Sequence, residues 1–169
     1  MPKPKKIDYP SYYTGYVEQV PDVKLLKLLQ SQSEKTKDLF GGLTSEQVDY
    51  AYAPGKWTLK EMLGHLCDTE RIFVYRALCM ARGDQQSLPG MDENEYMVHA
   101  NFAGRTIESL ILEYDSIRNA TIQFLTYLTA DDLNRTGTAN NGHFTVNALM
   151  YIIAGHELHH MAIVKERYL

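Results

Sequence analysis

The residues best suited to chemistry lie near the C-terminus, in Gly155-His156-Glu157-Leu158-His159-His160. His156 and His160 are one helical turn apart, so on a helix their imidazoles can reach the same point. Leu149 and Ile153 continue the same helical face, which predicts that both imidazoles point inward. Neutral imidazoles suit zinc, nickel or iron. The pair therefore predicts part of a metal site.

His65 is the candidate third ligand. Met62, Thr69 and Ile72 share its face of another apolar-periodic segment, so it too is expected to lean inward. The alternative for these histidines is a structural role in the core, satisfied by hydrogen bonds. Burying two imidazoles on one stripe without strong partners is costly, which favours ligation for the pair. His65 alone fits either role, and its assignment depends on the pair.

Four further side chains could belong to such a site. Asp68 follows His65 by about one turn and could orient an imidazole or act on a water ligand, but a salt bridge with a nearby arginine explains it equally well. Arg76 and Arg167 lie further along the histidine faces and could bind an anionic substrate, or remain solvated. His159 is rotated off the inward stripe, which predicts a residue at a pocket edge or on the surface.

Four helices are predicted to position these residues. The apolar periodicity places them at about residues 23–42, 58–82, 107–128 and 145–169. Residues 84–104 show no long periodic run and form a long connection that could hold a short helix. Such a crossover lets the second and third helices run in the same direction. The expected fold is all-α, an up-down-down-up four-helix bundle.

Local signals mark the ends of these helices. Thr58 and Glu61 have the spacing of a capping box at the start of the second helix, and Gly83 is expected to stop it. Thr145 is the expected start of the fourth helix, three residues after the end of Asn140-Asn141-Gly142. Strand signals are few, and the tyrosine-rich opening is expected to lie over the bundle.

Length and composition indicate one domain. The chain has 169 residues, 44% of them hydrophobic, which suits a single core. We expect residues 1–20 to form an extension packed on or near the bundle and residues 21–169 to form the domain. The formal net charge of -4 argues against a nucleic-acid partner, which normally requires a basic surface.

The cysteines and the apolar pattern suggest a compartment. Cys67 and Cys79 are twelve residues apart on one predicted helix, too distant for a disulfide. No apolar run approaches the roughly 20 residues of a membrane span, and the N-terminus lacks the apolar region of a signal peptide. A cytoplasmic protein without a membrane partner is the expectation.

The chain resembles the DinB/YfiT-like superfamily of four-helix-bundle metalloenzymes. Two segments carry the resemblance: Pro54-Gly55-Lys56-Trp57-Thr58 leading into Gly64-His65-Leu66-Cys67-Asp68, and the stretch from Gly155 to His160. It covers the chain from about Val23 onward. The combination of one central histidine and a C-terminal HxxxH is fairly specific, whereas either half alone is weak.

The resemblance implies a divalent metal, commonly zinc or nickel, held by residues corresponding to His65, His156 and His160. It also implies homodimers and a small-molecule substrate. Characterised relatives include S-transferases that use low-molecular-weight thiols such as bacillithiol, mycothiol or glutathione; other members are named as metal-dependent hydrolases. Three neutral ligands would leave an open position on the ion, as in catalytic sites.

Three functions are consistent with these observations. The first is a low-molecular-weight-thiol S-transferase, in which the metal favours the nucleophilic thiolate. The second is a metal-dependent hydrolase, in which the metal lowers the pKa of a bound water. The third is a non-catalytic bundle that binds a metal or another ligand. No motif selects among them, although we expect the first.

Overall fold

The computed structural model describes all 169 residues, and helices dominate it. A 3₁₀ turn, Ser11–Tyr13, precedes the first helix, and one β-hairpin precedes the last. The elements are α1 (Thr14–Gln19), α2 (Leu25–Gly41), α3 (Ser45–Val48), α4 (Leu59–Ala81), α5 (Glu93–His99), α6 (Ile107–Thr126), α7 (Ala130–Asn134), β1 (Thr136–Ala139), β2 (Gly142–Thr145) and α8 (Val146–Arg167).

The long helices α2, α4, α6 and α8 form the bundle, in which α4 and α2 each pack against both α6 and α8. Helices α4 and α8 are antiparallel: Tyr168, at the end of α8, donates a hydrogen bond to the carbonyl of Trp57, just before α4. Helices α4 and α6 are parallel: Leu63 and Leu110, early in each helix, share one core cluster, and Ala77 and Leu125, late in each helix, share the other.

Helix α2 runs parallel to α8. The Gln32 amide donates to the Ala154 carbonyl at 2.8 Å, and one turn further along both helices Thr36 donates to Glu157 at 2.6 Å. The four directions are therefore up, down, down and up. This confirms the predicted fold class, including the long crossover between the two parallel helices.

The predicted helix starts are confirmed at atomic detail. Thr58 and Glu61 form a complete capping box before α4. Thr145 caps α8 by accepting a hydrogen bond from the Ala148 N–H. Gly83, at φ +81°, follows the end of α4 in a backbone conformation that favours glycine.

The hairpin differs from the sequence expectation, in which Asn140-Asn141-Gly142 only precedes the last helix and strand signals are few. Asn140 and Asn141 both adopt positive φ, and their two-residue loop joins antiparallel strands whose partners include Ala139 and Gly142. Asparagine tolerates this conformation well, and it suits a tight hairpin. Leu88, in the crossover, bonds to the free edge of β1.

The tyrosine-rich opening also gains structure that the sequence did not indicate. Helix α1 packs against α8, and Val17 and Val20 are buried in the larger core cluster. The opening therefore covers the helix that carries His156 and His160. None of the helices is both long and apolar enough to cross a bilayer.

Candidate metal centre

His65 of α4 and His156 and His160 of α8 meet inside the bundle. The Nε2 atom of His156 lies 3.1 Å from that of His65 and 3.0 Å from that of His160. All three side chains are buried, with exposures of 6 to 9%. The antiparallel packing of α4 and α8 brings a residue from the early part of α4 opposite the later part of α8.

Burial keeps these imidazoles neutral. It lowers the pKa of His65 to about 4 and that of His160 to about 3. The pKa of His156 is lowered well below its ordinary value, first by burial and then by the neighbouring His160 and His65. A neutral imidazole has a free lone pair, which is the form that binds a metal.

The spacing of the nitrogens fits a common metal ion. A zinc-type ion lies about 2.0–2.1 Å from each imidazole nitrogen, which brings two ligand nitrogens to about 3 Å of each other. The observed distances are 3.0 and 3.1 Å. A direct hydrogen bond can satisfy only one nitrogen pair at a time, whereas His156 Nε2 faces two partners. The three histidines therefore fit a metal better than they fit a purely hydrogen-bonded core.

The Nδ1 atoms of His65 and His160, on the other side of each ring from Nε2, differ in their hydrogen bonding. The Thr69 hydroxyl lies 3.4 Å from His65 Nδ1, in reach to accept its proton when Nε2 is a ligand. His160 Nδ1 is buried without a hydrogen-bond partner. Aromatic rings close the site. The ring centroid of Trp57 lies 4.7 Å from that of His65, and the ring centroid of Tyr16 lies 5.5 Å from that of His156.

A buried ionic network lies next to the histidines. Arg118 bonds to Glu70 and Glu157, and Glu157 also accepts hydrogen bonds from Tyr114 and Thr36. Burial alone would lower the pKa of Arg118, but the two carboxylates raise it, so the guanidinium stays charged. The network joins all four bundle helices immediately beside the ligand-bearing turns.

A cavity of about 600 Å³ opens onto the three histidines. The 3₁₀ turn, helix α1 and the hairpin supply much of its wall, including Tyr13, Tyr16 and Phe144. Glu93, from α5, is the only carboxylate among its lining residues. Sequence reasoning missed these contributions, because they come from short segments outside the histidine motifs.

The structure distinguishes the other candidates. Arg76 and His159 both line the cavity, His159 at its half-buried edge as its register predicts. Asp68 lies outside the cavity lining, 3.5 Å from Arg71, and burial raises its pKa despite that arginine. Arg167 is exposed beside Glu166 and does not line the cavity either.

Comparison with known proteins agrees with this fold. Residues 28–164 match the model of the DinB superfamily, and the chain belongs to that family. YfiT from Bacillus subtilis, described as a probable metal-dependent hydrolase with an unusual four-helix bundle topology, superposes with a TM-score of 0.74. The match has 17% identity and covers 88% of this chain and 90% of YfiT.

A relative in Oceanobacillus iheyensis is 22% identical over 142 residues. The match covers 83% of this chain and 81% of that protein, whose name provisionally describes a metal-dependent hydrolase. The similarity to both proteins extends over most of the chain, so it concerns the whole bundle.

Proposed function

We propose that this protein is a metal-dependent enzyme whose divalent ion is bound by His65, His156 and His160. The observation that carries the proposal is the convergence of three buried, neutral imidazoles, with Nε2 separations of 3.0 and 3.1 Å, at a cavity. The names of the relatives from Oceanobacillus iheyensis and Bacillus subtilis support metal dependence. Zinc and nickel both accept imidazole ligands, and we propose one of them as the ion.

A catalytic role is supported by the surroundings of the site. A structural zinc site is usually closed by four protein ligands, whereas three ligands are typical of catalytic zinc. The only cluster of potential ligands in the structure is this set of three histidines. The cavity of about 600 Å³ beside them has the size of a small-molecule site.

The reaction we propose is transfer of a low-molecular-weight thiol to an electrophile. When bound, the ion would lower the pKa of a thiol and so supply the thiolate nucleophile. A sulfur–carbon bond forms on the electrophile, and its leaving group departs with the bonding electrons. Tyr13, Tyr16 and Trp57 line the reaction space and limit the access of water.

The position of Glu157 favours thiol chemistry over hydrolysis. Many zinc hydrolases place a glutamate beside the metal as a general base. Here Glu157, adjacent to His156 in sequence, is held by Arg118, Tyr114 and Thr36 and is absent from the lining of the cavity. Cys67 is no protein nucleophile for either reaction, since burial raises the pKa of its thiol.

A metal-dependent hydrolase is the second candidate, and the names of both relatives favour it. In this case the same ion would activate water for attack on an ester or amide. Three imidazoles are compatible with that chemistry even without Glu157 as a base, because the metal itself lowers the pKa of water to near 7.

Two parallel incubations of the same protein distinguish the two reactions. Metal-loaded protein is incubated with 1-chloro-2,4-dinitrobenzene and a panel of low-molecular-weight thiols, and separately with 4-nitrophenyl acetate without thiol. We expect thiol-dependent conjugation that His160→Ala reduces at least about 100-fold and that His99→Ala, on exposed α5, leaves unchanged. Thiol-independent ester cleavage with the same His160 dependence would favour the hydrolase. Full metal binding without either activity would favour a non-catalytic bundle.

We also propose that the protein is a homodimer and that it acts in the cytoplasm. Light scattering on the purified chain measures its mass in solution, and a mass near 19 kDa would contradict the dimer.

A further inference from the structure

Arg76 is a buried cation without an acidic partner. Its exposure is 4%, comparable with that of the histidines. It belongs to none of the ion pairs in the structure, which extend to 4.0 Å. Arg118, the other deeply buried arginine, is paired with both Glu70 and Glu157. The fold therefore supplies acidic partners to Arg118 and none to Arg76.

One end of Arg76 is fixed. Its Nη2 donates a hydrogen bond to the Pro89 carbonyl at 2.7 Å, and its guanidinium carbon lies 5.5 Å from the centre of the Phe73 ring. The Tyr13 hydroxyl also contacts the guanidinium, but it is neutral and supplies no compensating charge. The exposed part of Arg76 is therefore without an anionic partner in the protein.

The accessible side of Arg76 belongs to the cavity of the histidines, because Arg76 lines that cavity with His65, His156 and His160. Glu93 is the only acid in the lining, and it forms no ion pair with Arg76. Removing a guanidinium from bulk water without a carboxylate partner is costly. That cost is offset when a bound anion supplies the missing charge.

We propose that Arg76 is the anion subsite of this cavity and binds a carboxylate or phosphate group of the substrate. The assignment rests on the proposed function, in which the reacting group of the same molecule lies at the three histidines. The planar guanidinium can donate two parallel hydrogen bonds to either anion, which a lysine cannot. The substrates are therefore small molecules with an anionic group at one end and the reactive thiol or electrophile at the other.

The test uses Trp57 as an internal reporter. It is the only tryptophan of the chain, and it lines the cavity 4.7 Å from the His65 ring. Nitroaromatic probes that enter the cavity quench its fluorescence. Three probes of similar size are titrated: 4-nitrobenzoate, 4-nitrophenylphosphonate and the neutral 4-nitrobenzamide. The quantity measured is the affinity of each anion relative to the amide, in the wild type and in variants.

We expect wild-type protein to prefer at least one anion over the amide by about 10-fold or more. Arg76→Gln should abolish the preference while leaving the affinity for the amide unchanged, and Arg76→Lys should retain part of it. Arg71→Gln is the matched control, because it removes a positive charge from the exposed face of α4 and should preserve the preference. The stronger of the two anions identifies a carboxylate or a phosphate substrate.

An anion preference that persists in Arg76→Gln would overturn the proposal and would indicate binding at the histidines instead. No preference in the wild type would overturn it as well. Arg76→Met, with an unbranched side chain of similar reach, repeats the test if the glutamine variant does not fold. Metal content is measured on every sample. Protein without bound metal would contradict the proposed function. The anion preference tests the role of Arg76 whether or not metal is bound.

Discussion

Arg118 and Glu157 form an ion pair of 2.6 Å in which both side chains are almost fully buried, with exposures of 1 and 2%. Glu157 follows His156 in sequence, and the other carboxylate on Arg118, Glu70, follows Thr69. The pairings therefore fix the turns of α8 and α4 that carry histidines. The charges position the site without lining its cavity.

Arg118→Met should destabilise the protein by about 3–5 kcal/mol, because it leaves two carboxylates buried without their cation. Chemical denaturation measures the change in the free energy of unfolding. Arg71→Met removes half-exposed ion pairs with Asp68 and Glu113, and Glu113 keeps its second partner Arg105, so the loss should be about 1 kcal/mol or less. Equal losses for the two variants would contradict the role assigned to the network.

Thr69→Val should weaken metal binding about 10-fold, the lower end of the range for outer-shell partners, since its contact with His65 Nδ1 is long at 3.4 Å. Valine keeps the shape of threonine and removes the hydroxyl. Competition with a chromophoric zinc chelator measures the affinity. Thr69→Ser keeps the hydroxyl and should stay close to wild type, and an unchanged affinity in Thr69→Val would show that the contact does not orient His65.

Gly155→Ala should separate α1 from α8. A methyl group at this position would lie 2.0 Å from the carbonyl oxygen of Tyr16, and backbone cannot yield as a side chain can. We expect a loss of about 1–3 kcal/mol in thermal or chemical unfolding. Gly15→Ala, in α1 with open space around it, should be neutral or stabilising. A Gly155→Ala variant as stable as wild type would mean that the α1 contact is weak.

The metal-free protein should lose stability in mild acid. Because the folded-state pKa of His65 is about 4, against an ordinary value of 6.5, the unfolded chain binds more protons between these values. The stabilisation is complete above about pH 6.5 and is lost as the pH falls towards 4. Urea denaturation with chelator should show His65→Leu losing about 2 kcal/mol less than wild type between pH 7 and 5. Equal losses would contradict a buried, neutral His65.

The sequence was sufficient for the helices and for the inward pair of His156 and His160, whereas it left His65 open between a ligand and a structural role. Helical periodicity placed His156 and His160 on one inward face, and the structure brings His65 to them across the bundle. The caps at Thr58 and Thr145 were predictable because they depend on residues three positions apart. Local spacing determines these features.

Features that depend on contacts distant in sequence were not predictable. The cavity wall includes Tyr16 and the hairpin loop, which reach the histidines only after α1 packs on α8. The register of Asp68 and Arg76 on one helix left both as candidates. Folding separates them: Asp68 lies beside exposed Arg71, and Arg76 enters the cavity. A single helical face could not show which neighbour each would meet.

Elemental analysis of the purified protein beside its histidine variants tests the central claim most directly. We predict about one divalent ion per wild-type chain, and loss of that ion in His65→Ala, His156→Ala and His160→Ala. His159→Ala, at the edge of the same cavity, is the matched control and should retain the ion. The account would be contradicted if wild-type protein stays free of metal when offered zinc or nickel. It would also be contradicted if the three histidine variants retain the ion at full stoichiometry.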